Sequence, residues 1–272
     1  MSNVFQDWVG RQERRADFIS ESPLRGLCAL LDHETPPWGP GVAPPLAHWL
    51  YFLPTARQSE IDIDGHPKRG GFLPPIDLPR RMWAGGRLSF HAPLPIGARA
   101  ERVSTISKVT AKSGASGDMV FVTVAHEVRA EGALIVREEQ DIVYRGAGGA
   151  TPAGAPDERA SVRTRVLAPD ETMLFRFSAL TFNAHRIHYD RPYATGVEGY
   201  PGLVVQGPFI ATLLMDHVLR GAAMARVKGF SFRAQRPLFD GAEASLCIND
   251  AGDLWCKNAA GEVAMSARVE LA

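Results

Sequence analysis

The chain has 272 residues, 45% of them hydrophobic, so a sizeable core is within reach and global disorder is excluded. Its 30 Lys and Arg equal its 30 Asp and Glu; with no net charge there is no case for a non-specific nucleic-acid binder. Cys28, Cys247 and Cys256 are odd in number and widely spaced, which argues against a disulfide framework or a zinc site and suits core positions in a reducing compartment.

The N-terminus, MSNVFQDWVGRQERRADF, lacks the basic start, apolar run and small-residue cleavage site of a signal peptide. No apolar run approaches the ~18 residues of a membrane span. The expectation is a soluble, cytoplasmic protein with no membrane partner. Residues 3–20 read as a helix, with Val4, Trp8 and Val9 on one side and Arg11, Arg14 and Arg15 elsewhere. Residues 23–31 are short and apolar. The Pro/Gly-rich stretch 35–45 is neither helix nor central strand. LAHWLYFLP then reads as a short apolar helix ended by Pro54. Residues 55–80, dense in Gly and Pro, read as a long surface connection.

From Met82 the pattern changes to period-2 alternation. RLSF, ARAERVSTISKVTAK, DMVFVTVAHEVRAE and LIVREEQDIVYR are strands, broken at Gly97, Gly114, Gly117 and Gly132. A Gly/Ala/Pro linker spans 146–160. VRTRVLAP is a further strand. A His-bearing loop and an apolar helix of about Pro208 to Arg220 follow. Strands return at VKGFSFRAQRPLF, AEASLCIND, DLWCKNA and EVAMSARVELA. Phe209, Ile210, Leu213, Leu214 and Val218 recur at helical spacing, with Thr212, Asp216 and Arg220 off that face. Pro208 suits the first helical turn and Gly221 the stop.

The second half repeats the order of the first. PLPIG at 93–97 matches PLFDG at 237–241, each after a Ser-Phe strand, and 129–144 resembles 258–271. ALLD at 29–32 sets against ALTF at 179–182. Their shared order argues for duplication, with units at 1–148 and 160–272. A helix that covers one face of an antiparallel sheet, twice over, predicts an α+β double hot-dog: two antiparallel sheets, each wrapped around a central helix.

The chemistry-bearing stretch is Asn183-Ala184-His185-Arg186-Ile187-His188, with Ala194 six residues on and Gly207-Pro208 at the helix start. The two His, i and i+3 with Asp190 near, have half the look of a metal site, but no third-ligand motif accompanies them, so no metal is assigned. A structural pair bonded to loop carbonyls is the plainer alternative. The stretch resembles the MaoC-like hydratase 2 family, whose loop reads Asp-x-Asn-Pro-aliphatic-His, then five residues and a small one, ahead of a helix whose N-terminal Gly faces a thioester. The segments at 81–97 and 230–241 look like the sheet starts of double-hot-dog members, so the resemblance spans nearly the whole chain. The family's Asp, Asn and Pro are Asn183, His185 and Arg186 here. That variant is similar to mesaconyl-C4-CoA and itaconyl-CoA hydratases and related 3-hydroxyacyl-thioester dehydratases.

The resemblance implies a carbon–oxygen lyase that hydrates a short branched dicarboxylic 2-enoyl-CoA. Such an enzyme takes acyl-CoA as its partner and needs no cofactor, CoA being part of the substrate. His188, the motif member with a suitable ordinary pKa, is the expected general base. Asn183 holds the water by its amide oxygen, and the Gly207 N–H meets the thioester oxygen at the positive end of the helix. His185, Arg186, Tyr193, Arg236 and Arg87 are weaker candidates for substrate contact, with solvated-loop or strand-end roles as their alternatives. The first half has no equivalent His motif; Asp32-His33 reads as a decayed copy that shapes the groove. Dehydration of longer 3-hydroxyacyl thioesters and non-catalytic acyl-CoA binding are the competing functions. Two fused units suffice for a site, and a homodimer of double units is equally compatible.

Overall fold

The structure, a computed structural model, describes residues 5–114, 117–146 and 154–272. The first half runs β1 (Gln12–Phe18), α1 (Glu21–Leu30), β2 (Val42–Ala43), β3 (Arg80–Phe90), β4 (Leu94–Pro95), β5 (Arg99–Gly114), β6 (Gly117–Ala130) and β7 (Ala133–Arg145). The second runs β8 (Arg163–Leu167), α2 (Glu171–Thr181), α3 (Arg191–Gly196), α4 (Gly207–Gly221), β9 (Val227–Ala234), β10 (Ala244–Ile248), β11 (Asp253–Lys257) and β12 (Val263–Leu271). Of the linker foreseen at 146–160, residues 147–153 lie outside the described residues, and 154–161 carry no regular structure.

Ten of these strands form one antiparallel sheet in the order β1-β5-β6-β7-β3-β9-β12-β11-β10-β8. Each half therefore places its main-sheet strands in the same internal order, first, third, fourth, fifth and second. The two double-hot-dog sheets join edge to edge where β3 pairs with β9, Gly86 opposite Phe232 and Leu88 opposite Phe230. The seam needs glycine. A Cβ on Gly85 would lie 2.6 Å from the Phe232 carbonyl oxygen. The foreseen repeats occupy equivalent places. The two Pro-Leu segments follow β3 and β9, and the two aligned C-terminal segments are β7 and β12. The 29–32 and 179–182 pair ends α1 and α2, with left-handed backbone at Asp32 (φ 60°) and Phe182 (φ 49°).

Several elements differ from the sequence reading. Residues 12–18 are a strand, not helix; the segment is the outer edge of the sheet, pairs with β5 and buries no residue fully, so its period-2 signal is faint. The start of that stretch, residues 3–4, lies outside the described residues. Among the described residues the first half has no full central helix: after Pro44 and Pro45 one 3-10 turn, Ala47–Leu50, stands in its place. Helix α4 is buried on nearly every side, including Thr212, Asp216 and His217, because the sheet curls around it and α2 covers its start. The charge at Asp216 is met by His33 Nε2 at 2.5 Å, Arg165 Nη1 at 2.5 Å and Arg220 Nε at 2.8 Å. His33 is thus a clamp on α4, not part of a groove. Finally, 55–80 is not merely surface: Ile76 is buried in a second small core with Phe72, Leu73 and Leu78 packed on it.

Candidate active site

Helix α2 begins on Asp170, whose Oδ1 accepts the Met173 N–H at 2.7 Å. It ends at Phe182 in the left-handed conformation, and the Asn183 N–H turns back to the Ser178 carbonyl at 2.9 Å. The chain then enters the His loop. Asn183 Oδ1 accepts the His185 N–H at 3.0 Å, an Asx turn that sets the loop's direction. A 3-10 turn over Arg186–His188 follows. Residues 204 and 205 tie to this loop and to the strand-end segment before Gly241: the Val204 N–H donates to Ile187 O at 3.0 Å and the Val205 N–H to Leu238 O at 2.8 Å. Gln206, 1% exposed, donates from Nε2 to Leu174 O and Ser178 Oγ, both at 2.9 Å. The start of α4 is thereby fastened to α2.

These ties bring Asn183, His185, His188 and Gly207 to the wall of one cavity of about 1400 Å³. His188 donates its Nδ1 proton to the Val204 carbonyl at 2.6 Å. The acceptor is a carbonyl, so the tautomer is settled and Nε2 carries the lone pair. Burial pushes the His188 pKa down to about 4, outweighing the Val204 bond that favours the cation. At neutral pH it is a free base in a largely apolar site. The Gly207 N–H belongs to the first turn of α4, where the helix supplies no acceptor. A Cβ there would meet only the Trp83 carbonyl oxygen, at 3.7 Å. The protein itself leaves room for a side chain at this point.

A second loop completes the site, and the sequence reading missed it. Gly65, at φ +89°, packs so tightly on the His loop that a Cβ would lie 1.8 Å from Ala184 O. The Arg186 N–H donates to Asp64 O at 2.9 Å. This docking sets His66 against His185, tilted at 39° with ring centres 4.0 Å apart, and His185 meets His188 edge-on at 5.2 Å. His66 Nδ1 bonds Asp64 Oδ2 at 2.9 Å. Burial lowers the His185 pKa, and the charges of His66 and His188 push it the same way. Burial would raise Asp64, but the His66 hydrogen bond and charge prevail and hold it below the usual carboxylate range. Asp64, His66 and His185 bring donor atoms within 4.8 Å of one another, the one such group among the described residues. The two imidazoles are tilted at 39° to each other, and Asp64 is engaged with His66.

The weaker sequence candidates separate. Arg236 lines the cavity. Arg186 does not: it grips Asp190 at 2.7 Å and lies 4.1 Å over the Tyr193 ring, so both residues brace the loop from behind. Arg87 is corrected more sharply. It sits on the outer face of β3, half-exposed, bound to Glu139 at 2.8 Å and Asp141 at 2.7 Å, in a separate groove.

A neutral imidazole and the open N-terminus of a sheet-wrapped helix facing one cavity equip a protein for adding water to a thioester-activated double bond, and for removing it. The enzyme class is hydratase or dehydratase. The family model of hydroxyacyl-thioester dehydratase type 2 matches residues 46–240. The chain is 50% identical to a mesaconyl-C(4)-CoA hydratase of Chloroflexus aurantiacus, over 97% of this chain and 96% of that one. It is 27% identical to a mitochondrial hydroxyacyl-thioester dehydratase type 2 of Schizosaccharomyces pombe, over 88% and 90%. HtdX of Mycobacterium tuberculosis superposes with a TM-score of 0.69 at 15% identity, covering 96% of this chain and all of that one. A second protein of that organism, described as a double hot-dog, gives 0.58 at 12%, covering 97% and 96%. The chain belongs to the hydroxyacyl-thioester dehydratase type 2 family and has the double hot-dog fold.

Proposed function

We propose that the chain reversibly hydrates a short branched dicarboxylic 2-enoyl-CoA, such as mesaconyl-C4-CoA or itaconyl-CoA, to a hydroxyacyl-CoA such as citramalyl-CoA. The observation that carries the substrate is the near-full-length similarity to the Chloroflexus mesaconyl-C(4)-CoA hydratase. The neutral, buried His188 supports the chemistry.

In this reading His188 Nε2 takes a proton from a water whose oxygen bonds to the β-carbon. The double-bond electrons move onto the thioester oxygen, where the Gly207 N–H receives them. An N–H aimed at such an oxygen is worth roughly 3–4 kcal/mol in other enzymes. The α-carbon then takes the proton from His188, so the sum is one water added. Asn183 Oδ1, already accepting from the His185 N–H, has a second lone pair for the water. No cofactor enters. The active unit is 160–272 and the degenerate one 1–148. We place the protein in the cytoplasm, where its three cysteines stay free thiols, as a homodimer of double units.

The test is loss of enoyl-thioester absorbance with a panel of enoyl-CoAs. Turnover of the branched diacids above straight-chain substrates is the expected result. Preference for long straight chains would instead indicate the dehydration named for the fungal relative. Binding without turnover would make this a non-catalytic acyl-CoA-binding hot-dog protein.

A further inference from the structure

The same cavity has a cationic wall on the β3 side. Arg69, Arg81 and Arg145 line it together with His188 and Gly207. The neighbouring Arg80 has its own carboxylate, Glu198 at 3.3 Å. The other three have none among the described residues. Arg69 donates to the carbonyls of Ile76 and Pro79 and stands 5.9 Å from the centre of the Tyr144 ring. Arg145 Nε is buried without a partner. Arg81 sits opposite Tyr144 in the β3–β7 register, and the Tyr144 side chain is fully buried. All three arginines are half-buried, and a guanidinium partly withdrawn from water is normally paired with an anion. Arg81 and Arg69 meet at Tyr144 without a carboxylate of their own, a place for an anion, whereas Arg145 pairs with Arg80 in the register and so stands on the other face of the strand pair.

Their position narrows which anion. Arg81 and Trp83 share a face of β3, two residues or roughly 7 Å apart. The Trp83 carbonyl oxygen is 3.7 Å from where a Cβ on Gly207 would stand. The wall is therefore one short acyl chain away from the proposed thioester-oxygen position. Arg81 also lies close enough to His66 and His185 for its charge to oppose their protonation. That puts it on the reacting side of the cavity.

We infer that Arg81, supported by Arg69, holds the distal carboxylate of a four- or five-carbon enoyl diacid and so sets the enzyme's preference for dicarboxylic acyl groups. The inference rests on the hydration reading above. Carboxylate and phosphate share this recognition chemistry, so a CoA phosphate is the rival occupant.

The experiment compares mesaconyl-C4-CoA with crotonyl-CoA, which has the same CoA and no distal carboxylate. In Arg81→Gln, the ratio of kcat/KM for the diacid to that for crotonyl-CoA should fall about a hundredfold, as expected when one partner of a charged pair is removed. Arg81→Lys keeps the charge but not the two-pronged contact, so its ratio should fall by about tenfold or less. This variant carries the test if Arg81→Gln does not fold. An equal loss on both substrates makes Arg81 a CoA-phosphate or structural residue and overturns the inference alone. A wild type that hydrates crotonyl-CoA and no diacid overturns both the inference and the reading beneath it.

Discussion

At the scale of single residues the site turns on how His188 is held. Its Nδ1 is committed to Val204 O at 2.6 Å, and burial keeps it neutral down to about pH 4. His188→Ala should lower kcat by about a thousandfold with the fold retained, the usual worth of a general base; near-normal turnover would remove it from the mechanism. The pH dependence carries a sign. The folded-state pKa is below the ordinary 6.5, so this group's contribution to stability is complete above 6.5 and is lost as pH falls through about 4. Over that window the unfolded chain takes up a proton the folded one refuses, at a cost of roughly 3 kcal/mol. The acid limb of kcat/KM should accordingly sit near 4; a limb at 6.5 would show an exposed imidazole. Asn183→Asp probes the same network. A carboxylate can still accept the His185 N–H, so the Asx turn survives, while its charge favours protonated imidazoles. Turnover should be preserved or raised and the acid limb should move upward, which a pH–rate profile reads directly. Loss of turnover with the limb unmoved would deny this position a part in handling water.

At the scale of elements, loop-to-loop docking does what no single side chain can. Gly65 lets the 62–66 turn press on the His loop, and Gly65→Ala would need left-handed backbone and a contact with Ala184 O that no Cβ tolerates. Its kcat should drop at least tenfold as His66 leaves His185, with a melting temperature only a few degrees lower because the loop is peripheral to the main core. Gly207→Ala is the counter-case. The protein offers a Cβ room there, so stability should hold or rise slightly while kcat/KM falls by about tenfold or more; unimpaired turnover would mean no ligand approaches that closely. The His loop was legible in the sequence because its residues are contiguous and end at a Pro-started helix. Asp64 and His66 were not, being some 120 positions upstream in a turn-rich stretch that periodicity reads as surface. Arg87 misled for a related reason: one strand has two faces, and the bulge between Trp83 and Gly85 breaks simple counting from Arg81 to Arg87.

For the whole molecule, the repeat was visible in letters, yet its consequence, one continuous sheet, depends on the β3–β9 seam. Pairing partners 140 to 148 residues apart leave no local trace in a strand. Across that seam Trp83 and Phe232 pack edge to face at 5.7 Å, with Trp49 at 5.0 Å from Trp83, and one hydrophobic cluster runs from Ile19 to Val269. The two halves therefore share a core and should unfold together, although chains of this length often unfold in stages. Gly85→Ala tests the coupling at its tightest point, where the added Cβ would stand 2.6 Å from the Phe232 carbonyl. Forcing the strands apart should cost about 1–3 kcal/mol, the usual range for overpacking. The expected signature is a single melting transition, coincident by far-ultraviolet circular dichroism and tryptophan fluorescence, moved downward as one. Because Trp83 adjoins both the seam and Gly207, hydration should fall along with it. Two separated transitions in the variant, with activity following only one, would show that each half carries its own stability and that the seam merely joins finished units.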